Sequence, residues 1–169
     1  MQEAIIKTIY SKTEFAEKTK KELLDLVIGD DKSDLAENLK LGCEARYPSK
    51  KVKNQVWAKI IDPENSLSRY QRKEYMQGFF QRDEFCPMFV KNYVSEVKNL
   101  ATHGDSEFMV SFVENTYPLA CANDYLIKDL NKLLTPYKDN SKYSYYYKTV
   151  KDVIETLEIS QKVKEFARA

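Results

Sequence analysis

Apolar residues in this chain return at four-residue spacing, and short polar breaks separate one such run from the next. Leu35, Leu39 and Cys43 precede Pro48, and Val52, Val56 and Ile60 precede Asp62-Pro63-Glu64-Asn65. Phe85, Phe89, Tyr93 and Val97 continue the same spacing, and Tyr146, Val150, Val153 and Leu157 follow at steps of four, three and four. A four-residue period returns side chains to one face of an α-helix, whereas a strand needs alternation at period two. No stretch alternates at period two for long enough to form a strand. The spacing therefore predicts an all-α chain.

The breaks carry helix start and stop chemistry. Gly29 ends an opening region holding Phe15, Leu23, Leu24 and Val27, and Asp31 or Ser33 can cap the next helix, which runs to about Tyr47. Ser49, then Ser66 or Ser68, and later Asn123 stand before further helical runs; Pro87 falls in the first turn of the run from about Asp83 to Ala101, where its missing N–H is harmless. Short turns between helices make neighbours antiparallel. The expectation is an α-solenoid of stacked helix hairpins over 1–169, with a compact antiparallel bundle as the alternative. Residues 1–30 form opening helices and 31–169 the hairpins. Trp57 and Phe79 are expected in the core. Ile5, Ile6, Ile9 and Tyr10 precede the first complete hairpin, so they are expected to need cover from outside it.

Charge narrows the function classes. Lysine and arginine total 27 against 26 aspartates and glutamates, which leaves no surface-wide footprint for nucleic acid or an anionic membrane. Lys50-Lys51-Val52-Lys53 and Arg69…Arg72-Lys73 read as solvated helix faces. Tyr143, Tyr145, Tyr146 and Tyr147 are not interleaved with arginine, and a helix turns part of such a run inward, which argues against base stacking. There is no run long enough to cross a membrane and no basic-then-apolar leader at Met1-Gln2-Glu3-Ala4.

Reactive side chains are few. Cys43, Cys86 and Cys121 are dispersed in apolar segments and read as free buried thiols in a reducing compartment. The only histidine, His103, lies in a polar stretch that reads as a turn. Two histidines one turn apart, a glycine-rich phosphate loop and a G-x-S-x-G turn are all missing. Asp83 and Glu84 sit at an expected helix start, where acidic groups favour the helix dipole. The reading is no catalytic, cofactor-binding or metal-ligating residue in this chain.

Two stretches carry a resemblance. Cys43-Glu44-Ala45-Arg46-Tyr47-Pro48 is followed by Lys51-Val52-Lys53 and Val56-Trp57. Leu67-Ser68 leads through Met76-Gln77-Gly78-Phe79-Phe80 to Phe89 and Tyr93. In order and spacing these resemble the C-terminal helical domain of the aminopeptidase N and puromycin-sensitive aminopeptidase group, over about residues 30–160. The resemblance implies a non-catalytic domain that caps an upstream zinc-bearing catalytic domain and shapes peptide access. Zinc would sit in that upstream domain, bound by an H-E-x-x-H helix that this chain lacks. Partners would be the upstream domain and peptide, not nucleic acid or membrane, in the cytoplasm. Arg69, Arg72 and Lys148 are the candidates to pair with a peptide carboxylate. Glu155 stands where the family's last helix often presents an arginine. The alternatives are a free-standing helical-repeat scaffold for protein partners and, more remotely, a regulatory subunit that binds nucleic acid through its lysines.

Overall fold

A computed structural model describes residues 2–62, 64–81, 84–103 and 106–167, and every regular element among them is helical. The chain divides into two units, Met1–Phe85 and Cys86–Ala169, each with its own interior. Among the described residues no helix is long and apolar enough to cross a membrane.

The first unit holds α1 (Gln2–Tyr10), α2 (Glu17–Ile28), α3 (Asp34–Arg46), α4 (Lys50–Ile61) and α5 (Arg69–Phe79). Gly29 closes α2 at φ 55°, a left-handed setting that side chains with a Cβ resist, and its N–H donates to the Asp25 carbonyl. Ser33 accepts from the Ala36 N–H and opens α3, while Asp31 receives the Ser33 N–H in the turn before it. Ser68 and Gln71 form a reciprocal capping box on α5. Ser49 stands before α4 without a side-chain cap bond.

Packing in this unit joins next-but-one helices most closely, α3 with α5 and α1 with α3. Ile6 and Tyr10 are buried with Leu24, Leu39 and Cys43. The opening helix is therefore built into the interior of its own unit, contrary to the expectation that it needs outside cover; only Ile5 of its four apolar residues is largely exposed. Trp57 and Phe79 are core residues, with ring centroids 5.2 Å apart, as the spacing predicts. Leu35 departs from its expected stripe. It lies in the first turn of α3 and stays 71 % exposed, while Leu39 and Cys43 go inward.

The second unit holds α6 (Cys86–His103), α7 (Ser106–Thr116), α8 (Asp124–Leu134) and α9 (Ser144–Phe166), with 3-10 turns at Leu119–Cys121, Thr135–Tyr137 and Ser141–Tyr143. Asn123 caps α8 by accepting from the Leu126 N–H. Phe89, Tyr93, Val97, Phe112, Leu130, Val150, Ile154 and Leu157 fill the interior. Tyr93 stacks on Phe112, and its hydroxyl donates to the Val113 carbonyl; the Tyr146 hydroxyl donates to Val97. Asp83 and Gly104 lie outside the described residues.

The cysteine expectation needs correcting. Cys86 and Cys121 form a disulfide, and only Cys43 is a free, buried thiol. The pair lies 35 positions apart in sequence, but the turn after α7 brings Cys121 back to the start of α6, with Cα atoms 6.5 Å apart. Linear spacing cannot show such a return.

Candidate functional site

Both sequence motifs meet where α3 crosses α5. Gly42 and Gly78 let the two helices approach. A Cβ on Gly78 would come within 2.7 Å of the Ala45 Cβ and 3.0 Å of the Gly42 carbonyl. Such distances leave no room for even one methyl without moving backbone. Met76, Phe79 and Phe80 of the second motif are all buried around this crossing.

Charged groups line the same crossing. Lys7 of α1 and Glu74 of α5 form an ion pair at 2.8 Å, and Arg46 donates to the Gly42 carbonyl at 2.7 Å. Burial pulls the Arg46 guanidinium below its ordinary pKa, opposed by the nearby Glu74. On the far side, Tyr75 donates to Glu44, and Lys59 donates to the Tyr75 hydroxyl at 2.9 Å. Burial, reinforced by Glu44, pushes the Tyr75 phenol up. Burial pushes the Cys43 thiol up to about 12. A thiol so raised is not a nucleophile near neutral pH, because the thiolate is the reacting form. The arrangement ties α1, α3, α4 and α5 together through paired groups, and neither Cys43 nor Tyr75 is set up to give up its proton.

Lys53 departs from the solvated-face reading, and Lys20, which the sequence did not single out, is buried as well. Lys53, in the basic run of α4, is 1 % exposed and donates to the carbonyls of Ala45 and Phe79, at the ends of α3 and α5. Lys20 is also buried and donates to the Tyr10 carbonyl at the end of α1, with its ammonium over the Tyr47 ring. Helix C-termini expose carbonyls that lack an intrahelical donor, and a cation there is favoured. Both side chains are therefore helix caps. The signal in the sequence was slight: Lys53 falls one position after Val52 and three before Val56, toward the inner edge of its helix.

A groove of about 520 Å³ opens elsewhere in the first unit, where α1, the end of α2 and the start of α3 meet. Val27, Ile28, Leu35 and Leu39 form its walls, and Glu3 and Asp31 stand among its polar groups. Volumes of roughly 300–1,000 Å³ suit small ligands or a few anchoring side chains. The exposure of Leu35 follows from this: it borders an open groove.

The three residues expected to meet a peptide carboxylate belong to different units. Arg69 and Arg72 occupy the first turn of α5 in the first unit; Arg69 is exposed, and Arg72 donates to the Asn65 side chain at 3.1 Å. Lys148 is exposed on α9 of the second unit. None of them lines the groove. Among the described residues no group of three or more His, Cys, Asp or Glu side chains is gathered so as to hold a metal. Compared with models of known families and with curated proteins, the chain matches none.

Proposed function

We propose that this chain is a helical protein-interaction module whose binding element is the groove between α1, α2 and α3. The groove supports this reading because it combines four apolar wall residues with acidic groups, and Leu35 presents an uncovered side chain beside it. An amphipathic helix lays apolar anchors into such a groove, and lysines beside its stripe would meet Glu3 and Asp31. The test is an NMR titration with a synthetic helical peptide carrying apolar residues at i, i+4 and i+7 flanked by lysine. Shifts should concentrate on Val27, Ile28, Leu35 and Leu39, and Leu35→Lys should remove them. Absence of shifts, or shifts scattered over both units, would refute the assignment.

A narrower form of the same reading is the capping domain of a zinc aminopeptidase, with an upstream catalytic domain as the protein partner. The motif order from Cys43 to Tyr93 supports it. Under that reading the catalytic zinc belongs to the partner domain, the setting is cytoplasmic, and Arg69, Arg72 or Lys148 would meet the substrate carboxylate. Reading the native gene for an upstream H-E-x-x-H, then assaying peptide cleavage with and without this domain, decides between the narrow and the general form.

A further inference from the structure

The last three turns of α9 carry a second unmatched apolar feature. Ile159, Val163 and Phe166 stand at i, i+4 and i+7, and are 62 %, 62 % and 86 % exposed. Residues at that spacing share one helix face, and Lys162, also exposed, borders the same face. The opposite side of the helix is held down: Lys164 donates to the carbonyls of Leu119 and Ala120, and Gln161 to Asp124. The stripe is thus fixed outward on an ordered helix rather than left on a loose tail. Apolar anchors at i, i+4 and i+7 are the form that a helix-binding groove accepts.

We propose that the occupant of the α1–α2–α3 groove is the α9 stripe of a second copy of this chain. The proposal rests on the reading of the groove as a helix-binding site. Two observations select a second copy. The stripe offers three consecutive anchors of the size that a groove of about 520 Å³ holds. Lys162 is the cation beside the three anchors, and Glu155, one turn before Ile159 on the same face, is paired with Lys151 at 3.9 Å; the groove carries the anions Glu3 and Asp31 and no basic lining residue. Opposite charges at the rim set register and partner choice more than raw affinity. Stripe and groove are different surfaces, and each copy carries one of each. A stable interface buries roughly 1,200–2,000 Å². One three-residue stripe supplies less, so the association is weak and depends on concentration and salt.

Sedimentation velocity on the full chain over a wide concentration range tests this. Val163→Asp with Phe166→Ser disables the stripe, and Leu35→Lys disables the groove. All three positions are exposed, and far-UV circular dichroism checks that the folds are kept. Each variant alone should lose self-association by about tenfold or more. Mixing the two should restore a heterodimer, because one intact stripe meets one intact groove. Raised salt and Lys162→Glu should each weaken the native association. A chain that stays monomeric throughout overturns the proposal. So does loss in the stripe variant alone, which would show stripe against stripe. If the chain stays monomeric while the groove still takes the lysine-flanked peptide, the self-association fails and the groove reading stands.

Discussion

The two units solve the same packing problem with different materials. The first unit buries ammonium groups and runs an ion pair and a Lys59–Tyr75–Glu44 chain through its helix crossing. The second relies on stacked aromatics, tyrosine hydroxyls bonded to backbone carbonyls, and the Cys86–Cys121 link. Glycines let α3 and α5 approach until few side chains fit between them, so helix ends and long cations fill what remains. In the second unit, Tyr93 stacks on Phe112 in the interior, and the cation on backbone carbonyls, Lys164 on Leu119 and Ala120, is only half-buried. Both units bury rings, Trp57 against Phe79 in the first, but only the first buries ammonium groups among the described residues.

Trp57 is the only tryptophan and belongs to the first unit, so its fluorescence reports that unit while far-UV circular dichroism reports both. The largest expected effect is Phe79→Ala, which should destabilise the first unit by about 3–5 kcal/mol. If the units are independent, the fluorescence transition should move to lower denaturant and leave a second, unmoved phase in the dichroism. Coincident transitions would show one cooperative body. Next is Lys53→Met, which keeps the stem but strips two helix-end carbonyls of their donor; about 3 kcal/mol should be lost from the first unit. A change below about 1 kcal/mol would mean that water replaces the ammonium and that the contrast in materials is superficial.

Alkaline pH should act on both units. Cys43 and Tyr10 are pushed up to about 12, and Tyr75, Tyr93 and Tyr146 are also raised, in each case chiefly by burial. Their folded pKa values lie above the unfolded ones, so the folded state holds its protons longer. Their contribution is fully present below about pH 9, and stability falls as the unfolded chain begins to release protons there. Lys20, lowered by burial, works in the opposite direction, since its unfolded form binds the proton more strongly. The raised thiol and phenols, Tyr47 among them, outnumber the lowered Lys20 and Arg46, which gives a net loss. Denaturant midpoints between pH 8 and 11 should decline in both signals, less steeply for fluorescence in Cys43→Ala. A flat profile would contradict the burial of these hydroxyls.

Smaller effects separate the units further. Tyr146→Phe removes one hydroxyl bond to Val97 and should cost the second unit about 1 kcal/mol. Removing the partly exposed Lys7–Glu74 pair by Lys7→Met should cost less than about 1 kcal/mol. A larger loss for Lys7 than for Lys53 would invert the picture of a first unit held by its buried ammonium groups.

Helical periodicity was enough to read the class of the fold, because each run reports only on its own helix. Caps at Ser33, Ser68 and Asn123 were legible for the same reason: the capping group and its N–H lie within three residues of each other. The groove was not legible. It forms from the ends of three helices, and Leu35 looked like one more core position because its spacing is correct. The buried Lys53 was hidden by its charge, since its partners are carbonyls on two other helices, 8 residues before it and 26 after it. The motif Met76-Gln77-Gly78-Phe79 stood out in the sequence, and the structure puts it to use in packing at the α3–α5 crossing.

Lys53 also constrains which arrangements of this chain are possible at all. Amphipathic helices of similar length can slide past one another by a turn and still match apolar faces, so burial alone leaves several near-equal packings. A slip of one turn shifts a helix by about 5.4 Å along its axis. The Lys53 ammonium meets the carbonyls of Ala45 and Phe79 together, and after such a slip it would reach only one. A cation in a dry interior with half its acceptors is far costlier than a misplaced methyl. That single nitrogen works as a gauge of alignment: it fixes where α3 and α5 stop relative to each other, and so selects one ladder rung among the several that hydrophobicity would accept.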